Sequence, residues 1–186
     1  MGTGGNLQEP DPQVIRDARA GDRHSFGLLV RHCQGDVWRL VFHLVRNETL
    51  ADDVTQDAFV RAFRFLPGYR AEAKFSTWLY SIARNCAMDE LRRAARRRKV
   101  VERLGTPDET TVTDPGVVLE VREAIAALPD DLREPLILID LLGNSYKDAA
   151  TILSSAEGTV KSRVHRARMA LADMLRPEEN RTCGEI

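Results

Sequence analysis

The sequence predicts an all-α fold: two small helical domains joined by a flexible linker, the C-terminal one carrying a helix-turn-helix. Three observations predict it. Apolar residues recur at i, i+3, i+4 and i+7 through residues 13–98 and again through 117–175, which is the spacing of one helix face. No apolar-polar alternation of useful length appears, so no strand is expected. Between the two patterned halves lies LGTPDETTVTDPG, Leu104 to Gly116, with two prolines, two glycines and no aromatic residue, which is linker composition. The expected organisation is a flexible tail over 1–12, a domain over 13–98, a linker over 99–116, a second domain over 117–175 and a tail over 176–186.

In the first half, Phe26, Leu29, Val30, Cys33, Val37, Leu40, Val41 and Leu44 form one helical stripe, and Val54, Ala58, Phe59, Ala62 and Phe63 form another. Pro67 and Gly68 in LPGYRAEAKFST then break the pattern. A further helix is expected from about Ser76 to Arg98, its apolar positions including Trp78, Leu79, Ile82, Ala83, Cys86 and Leu91. In the second half, breaks at Pro129 and at LGNSY leave helices near 117–127, 131–141, 146–153 and 156–174.

Composition bounds the function. A chain of 186 residues with 43% hydrophobic residues can furnish modest cores. Lys plus Arg total 27 and Asp plus Glu 28, so net charge indicates no partner and the placement of charge becomes the signal. No window approaches the ~18 consecutive apolar residues of a membrane span, and MGTGGNLQEPDP has no apolar leader core. A cytoplasmic protein without membrane insertion is expected. Cys33, Cys86 and Cys183 are odd in number and in no CxxC or CxxH spacing, which signals neither a disulfide framework nor a zinc site. Cys33 and Cys86 read as small core residues. His24, His32, His43 and His165 form no ligand or triad pattern, and no GxSxG or phosphate loop is present. No catalytic residue, metal or cofactor is expected.

Three stretches carry chemistry. In SYKDAATILSSAEGTVKSRVHRARMAL, Ser145 stands three residues before Asp148, a capping-box start, and Ser155 is placed to cap a following helix whose first turn holds Glu157. On that second helix Val160, Val164, Ala167 and Leu171 make an apolar stripe, so Lys161, Ser162, His165 and Arg166 face away from the core. Arg163 and Arg168 add to the run, which holds no acid from Gly158 to Leu171. Such a face fits the major groove, where cations meet phosphates and guanine acceptors while Ser and His reach base edges.

The second stretch is acidic. Glu48, Asp52, Asp53 and Asp57 lie together with no basic residue from Glu48 to Val60, and Asp53, Gln56 and Asp57 share one helix face. Either a cationic partner or simple solvation beside a helix N-terminus accounts for it. The third mixes rings and cations. Tyr69, Phe75, Trp78 and Tyr80 interleave with Arg70, Lys74 and Arg84, and six of the eight residues from Arg92 to Lys99 are basic. Single-stranded DNA is held by that combination, since bases stack and phosphates need neutralising. Phe75 and Trp78 are expected to pack on the core instead, and Arg92 to Lys99 also suit a helix C-terminus.

The block LPDDLREPLILIDLLGNSYKDAATILSSAEGTVKSRVHRARMAL resembles region 4 of bacterial sigma factors of the extracytoplasmic function (ECF) group, and ADDVTQDAFVRAFRFLPGYRAEAKFSTWLYSIARNCAMDELRR resembles their region 2. The two blocks stand in the family's order, with nothing like region 3 between them. The resemblance implies a transcription initiation factor that binds core RNA polymerase, through the beta-prime clamp with region 2 and the beta flap with region 4. It implies that Asp52, Asp53, Gln56 and Asp57 make the core contact, with Asp53 and Gln56 opposite clamp arginines. It implies that Tyr69, Arg70, Ala71, Glu72, Ala73, Lys74, Asn85, Arg92 and Arg93 melt and hold the minus-10 element as single strand, and that Lys161, Ser162, His165 and Arg166 read the minus-35 duplex. An anti-sigma protein is an admissible further partner. The sequence departs from the family where the turn usually carries glycine and proline, with Ser154 and Ala156 there instead. A homodimeric helix-turn-helix repressor would account for residues 145–175 equally well, but leaves the acidic helix and the ring-and-cation segment without a reason.

Overall fold

The computed structural model describes residues 9–102 and 117–176, with side chains over 9–97 and 121–176. It is helical with no strand among the described residues. The order is α1 Pro12–Arg19, α2 Arg23–Val45, α3 Glu48–Phe65, a 3-10 turn Leu66–Gly68, α4 Phe75–Glu102, α5 Val117–Ala127, α6 Asp130–Leu136, a π-helical turn Ile137–Leu141, α7 Tyr146–Leu153 and α8 Glu157–Met174. Most of the expected linker, 103–116, and nearly all of the expected C-terminal tail lie outside the described residues. α4 runs past the expected boundary at 98.

Local chemistry sets the boundaries. Asp11 accepts from Gln13 N at 2.7 Å and starts α1 at Pro12, a first-turn residue with no amide to satisfy. Asp22 does the same for α2, accepting from His24 N at 3.1 Å and Ser25 N at 3.0 Å, and Asn47 for α3, accepting from Leu50 N at 2.8 Å. Pro135 lies inside α6 and cannot donate to the ladder, and the helix continues beyond it as the wider π turn.

The stripes meet as the spacing demands. Leu29, Cys33, Val37, Leu40, Val41 and Leu44 of α2 pack with Ala51, Val54, Ala58 and Ala62 of α3 and Leu79, Tyr80, Ala83 and Cys86 of α4. Phe63 departs from expectation: it is exposed, and its ring meets that of Phe26 edge-on, centroids 4.9 Å apart. The core does not stop at the first domain. It runs on through Ile137, Leu138, Leu142, Ala149 and Ile152 to Val160 and Val164, because α7 packs against α4. A smaller cluster of Ile125, Leu128, Leu136 and Ala167 holds α5, α6 and α8 together.

Candidate nucleic-acid and protein interfaces

Residues 145–174 form the helix-turn-helix. Asp148 N donates to Ser145 Oγ at 3.0 Å and Ser145 Oγ to Asp148 Oδ2 at 2.6 Å, so the expected start of α7 is made, with the acid bonding the serine hydroxyl. α7 ends on Ser154 in the left-handed conformation, φ 50° and ψ 47°, where glycine is usual. Ser155 does not cap α8. With Ser154 turning the chain, Ala156 takes the N-cap position, and its methyl offers no acceptor. Glu157 remains in the first turn, where its charge suits the helix dipole.

α8 buries Val160, Val164 and Ala167 completely and leaves Lys161, Ser162, His165 and Arg166 exposed. Their surroundings differ. Lys161 pairs with Glu157 at 2.7 Å and lies over the Tyr146 ring at 5.7 Å, and the hydrogen bond to Glu157 raises its pKa. Ser162 Oγ donates to Thr159 O at 2.9 Å. Arg166 has no ion pair among the described residues. Arg168 binds Asp140 in bidentate fashion, Nε at 3.0 Å and Nη2 at 2.6 Å, which ties α8 to the π turn.

Residues 69–74 form a loop between the 3-10 turn and α4. Arg70, Ala71, Glu72 and Lys74 are exposed, and Ala71 sits at φ 57°. Tyr69 is the exception: only 8% of it is exposed, its hydroxyl donates to Ala73 O at 2.7 Å, and its ring meets Phe75 and Trp78 at 5.8 Å and 5.1 Å. Its ring supports the loop from beneath and is not presented for stacking. Tyr80 is likewise wholly buried. Asn85 is exposed, but ten residues of helix set it roughly 15 Å from Phe75, so it and the loop are two points along one strand's path. Arg92 and Arg93 are exposed and pair with Asp89 at 3.2 Å and Glu90 at 3.5 Å.

On α3 the acidic face divides. Asp52 Oδ1 accepts from Trp38 Nε1 at 2.7 Å, and Asp57 pairs with Arg61 at 2.9 Å. Asp53 and Gln56 are exposed and bond no side chain among the described residues. Of the four residues that the resemblance implies for the core contact, the fold engages Asp52 and Asp57 within the molecule and leaves Asp53 and Gln56 open.

The two halves touch through polar bonds that sequence reasoning missed. Asp148 receives Lys74 Nζ at 2.9 Å and Thr77 Oγ1 at 3.2 Å, Glu134 receives Arg84 at 2.8 Å, and Arg46 donates to Ala126 O at 2.9 Å. Burial acts to raise the Asp148 pKa, but the bonds from Ser145, Lys74 and Thr77 outweigh it and the net shift is downward. Nothing in the spacing of residues 74 and 148 announces their pairing. Glu9 is also outside the sequence-derived set. Its carboxylate accepts from Phe75 N at 3.1 Å, from Ser76 N at 3.3 Å and from the Ser76 hydroxyl. Residues 9–11 are therefore anchored, not part of a free tail.

Comparison with known proteins matches the model of Sigma-70 region 2 to residues 29–97 and that of Sigma-70 region 4 to residues 119–171. The chain is 34% identical to RNA polymerase sigma-H factor of Pseudomonas aeruginosa, over 91% of this chain and 96% of that one. It is 34% identical to ECF RNA polymerase sigma factor SigM of Mycobacterium tuberculosis, over 94% and 89%. Among solved structures, sigma factor RpoE in complex with anti-sigma factor NepR from Bartonella quintana superposes with a TM-score of 0.71 at 30% identity, covering 81% of this chain and 96% of that one. CnrH in complex with the cytosolic domain of CnrY gives 0.68 at 27%, covering 88% and 95%. With both modules present in order and the relatives spanned almost end to end, the chain belongs to the ECF group of RNA polymerase sigma factors, which direct promoter-specific transcription initiation and are not enzymes.

Proposed function

We propose that this sigma factor reads the minus-35 element as duplex with α8 and captures the minus-10 element as single strand with the 69–74 loop and α4. The observation that carries the reading is the sidedness of α8, whose Val160, Val164 and Ala167 are fully buried while Ser162, His165 and Arg166 stand exposed beyond a tight turn. That is how a recognition helix enters a major groove. Arg70, Asn85, Arg92 and Arg93 supply cations and a two-way hydrogen-bonding amide to a strand passing along α4. Asp53 and Gln56 are the residues left open for the arginines of the polymerase clamp, and exposed Val121, Met169 and Leu175 provide apolar surface for the beta flap. An anti-sigma protein fits the same reading, since the RpoE neighbour is held by one.

Geometry adds a requirement. Elements named minus-35 and minus-10 are about 25 base pairs apart, roughly 85 Å at 3.4 Å per pair. With Lys74 bonded to Asp148, α7 and the loop cannot occupy both elements together. The halves must separate on the promoter, and core polymerase is the partner that holds them apart. The test is promoter binding and run-off transcription with and without core enzyme. Specific binding is expected only with core, whereas a repressor of the helix-turn-helix class would bind the promoter alone.

A further inference from the structure

We propose that Glu9 is a positioning residue for minus-10 capture, acting through the loop that ends at Lys74. This rests on the assignment of the 69–74 loop made above. The first amides of a helix have no partner within it and need an acceptor from outside. At the start of α4 the local residue is Lys74, whose side chain offers no acceptor. Glu9 supplies it across 66 residues of sequence, one carboxylate oxygen taking Phe75 N at 3.1 Å and the other Ser76 N at 3.3 Å together with the Ser76 hydroxyl. Ser76 is only 5% exposed, so no water would replace these bonds without cost.

The position gives the cap its role. The loop has two anchors. At one end the Tyr69 hydroxyl grips Ala73 O at 2.7 Å, and at the other Glu9 holds Phe75 and Ser76. Between them Ala71 keeps a left-handed φ of 57°, a conformation that persists only when its surroundings impose it. Pro10 is buried beside Glu9, and Asp11 starts α1, so the carboxylate is delivered from a fixed segment. A glutamate that orders the loop before DNA arrives lowers the cost of fixing it around a flipped base. Glu9 touches neither base nor phosphate on this account.

The test compares Glu9→Ala and Glu9→Gln in the full-length factor bound to core polymerase. Open-complex formation is measured on a duplex promoter and on the same promoter mismatched across the minus-10 region, and amide hydrogen exchange is followed at Phe75 and Ser76. Glu9→Ala is expected to speed exchange at those amides, to leave affinity for core unchanged, and to slow opening of the duplex roughly fivefold with a smaller defect on the mismatched template, the order that loss of one cap carries. Glu9→Gln retains an acceptor and is expected to fall between Ala and the parent, and it serves where the alanine variant is too unstable to assay. Faster exchange with parental opening of the duplex overturns the positioning role, and unchanged exchange overturns the cap itself. Asn85→Ala is the control on the underlying reading: if it too opens duplex normally, the minus-10 assignment fails, whereas a defect in Asn85→Ala alone sinks only the role of Glu9.

Discussion

The ammonium of Lys74, in the loop before α4, lies 2.9 Å from Asp148 Oδ2 at the start of the helix-turn-helix. One carboxylate thus accepts from the Ser145 hydroxyl that caps α7 and also joins the two halves of the molecule. The lysine is more than half exposed, so the pair adds little to stability on its own. Its effect on the lysine is readable, because the hydrogen bond to Asp148 raises the Lys74 pKa and withholds the free amine. Asp148→Asn should therefore increase the rate at which an activated ester acylates Lys74, followed by peptide mass spectrometry. Adding core polymerase to the parent should do the same by separating the halves. An unchanged rate in both would mean that the contact is absent in solution.

The division of the acidic face predicts unequal variants. Asp53→Arg with Gln56→Ala should weaken binding to core polymerase in a titration, since on the proposed interface charge reversal sets like charges opposite the clamp arginines. Exposed substitutions of this kind change stability by no more than about 0.5 kcal/mol. Asp52→Ala should instead cost stability by about 1 kcal/mol, because it removes the acceptor of the Trp38 indole. Equal core affinity in the double variant and the parent would remove this face from the interface.

Asn85 is exposed on α4 and can both donate and accept. Its replacement by alanine should impair open-complex formation on duplex promoters and be partly rescued on templates mismatched across the minus-10 region, where melting is already done. Equal defects on the two templates would indicate a lost core contact or a misfolded domain.

Two arginines two residues apart on α8 should behave differently. Arg166 is unpaired among the described residues, and if it reads a guanine its loss should cost about 1–3 kcal/mol and relax selectivity at one base pair. Arg168 is engaged by Asp140, so Arg168→Ala should weaken transcription from all promoters alike by loosening the seat of the helix. A panel of minus-35 variants separates the two patterns. Normal transcription by Arg166→Ala and Lys161→Ala across that panel would end the assignment of this helix.

Ser154 holds a left-handed conformation that costs an L-residue about 1–2 kcal/mol, while glycine surrenders about 0.5–1 kcal/mol of extra chain entropy. Ser154→Gly should therefore stabilise the protein by about 0.5–1 kcal/mol in chemical denaturation without altering promoter choice. A loss of stability would show that the serine side chain contributes something beyond its backbone.

Much of this was written into local spacing. The helices from 131 to 174 were legible because Pro129, the LGNSY turn and the Ser145–Asp148 pair are signals that act within a few residues. The exposed side of α8 followed from the period of its buried stripe, and the family from two motif blocks in order. The cap of α8 was misplaced by one residue, since both Ser155 and Ala156 suit a turn and only the left-handed twist at Ser154 decides between them. Tyr69 was read as a stacking ring because sequence shows that an aromatic is near cations, and not which way it faces. Trp38 with Asp52, Lys74 with Asp148, Arg84 with Glu134, and Glu9 at the head of α4 were invisible for one physical reason. A hydrogen bond needs its partners within about 3 Å, and for residues 14 to 74 positions apart on different elements that distance is set by how helix stripes pack, which no local pattern encodes.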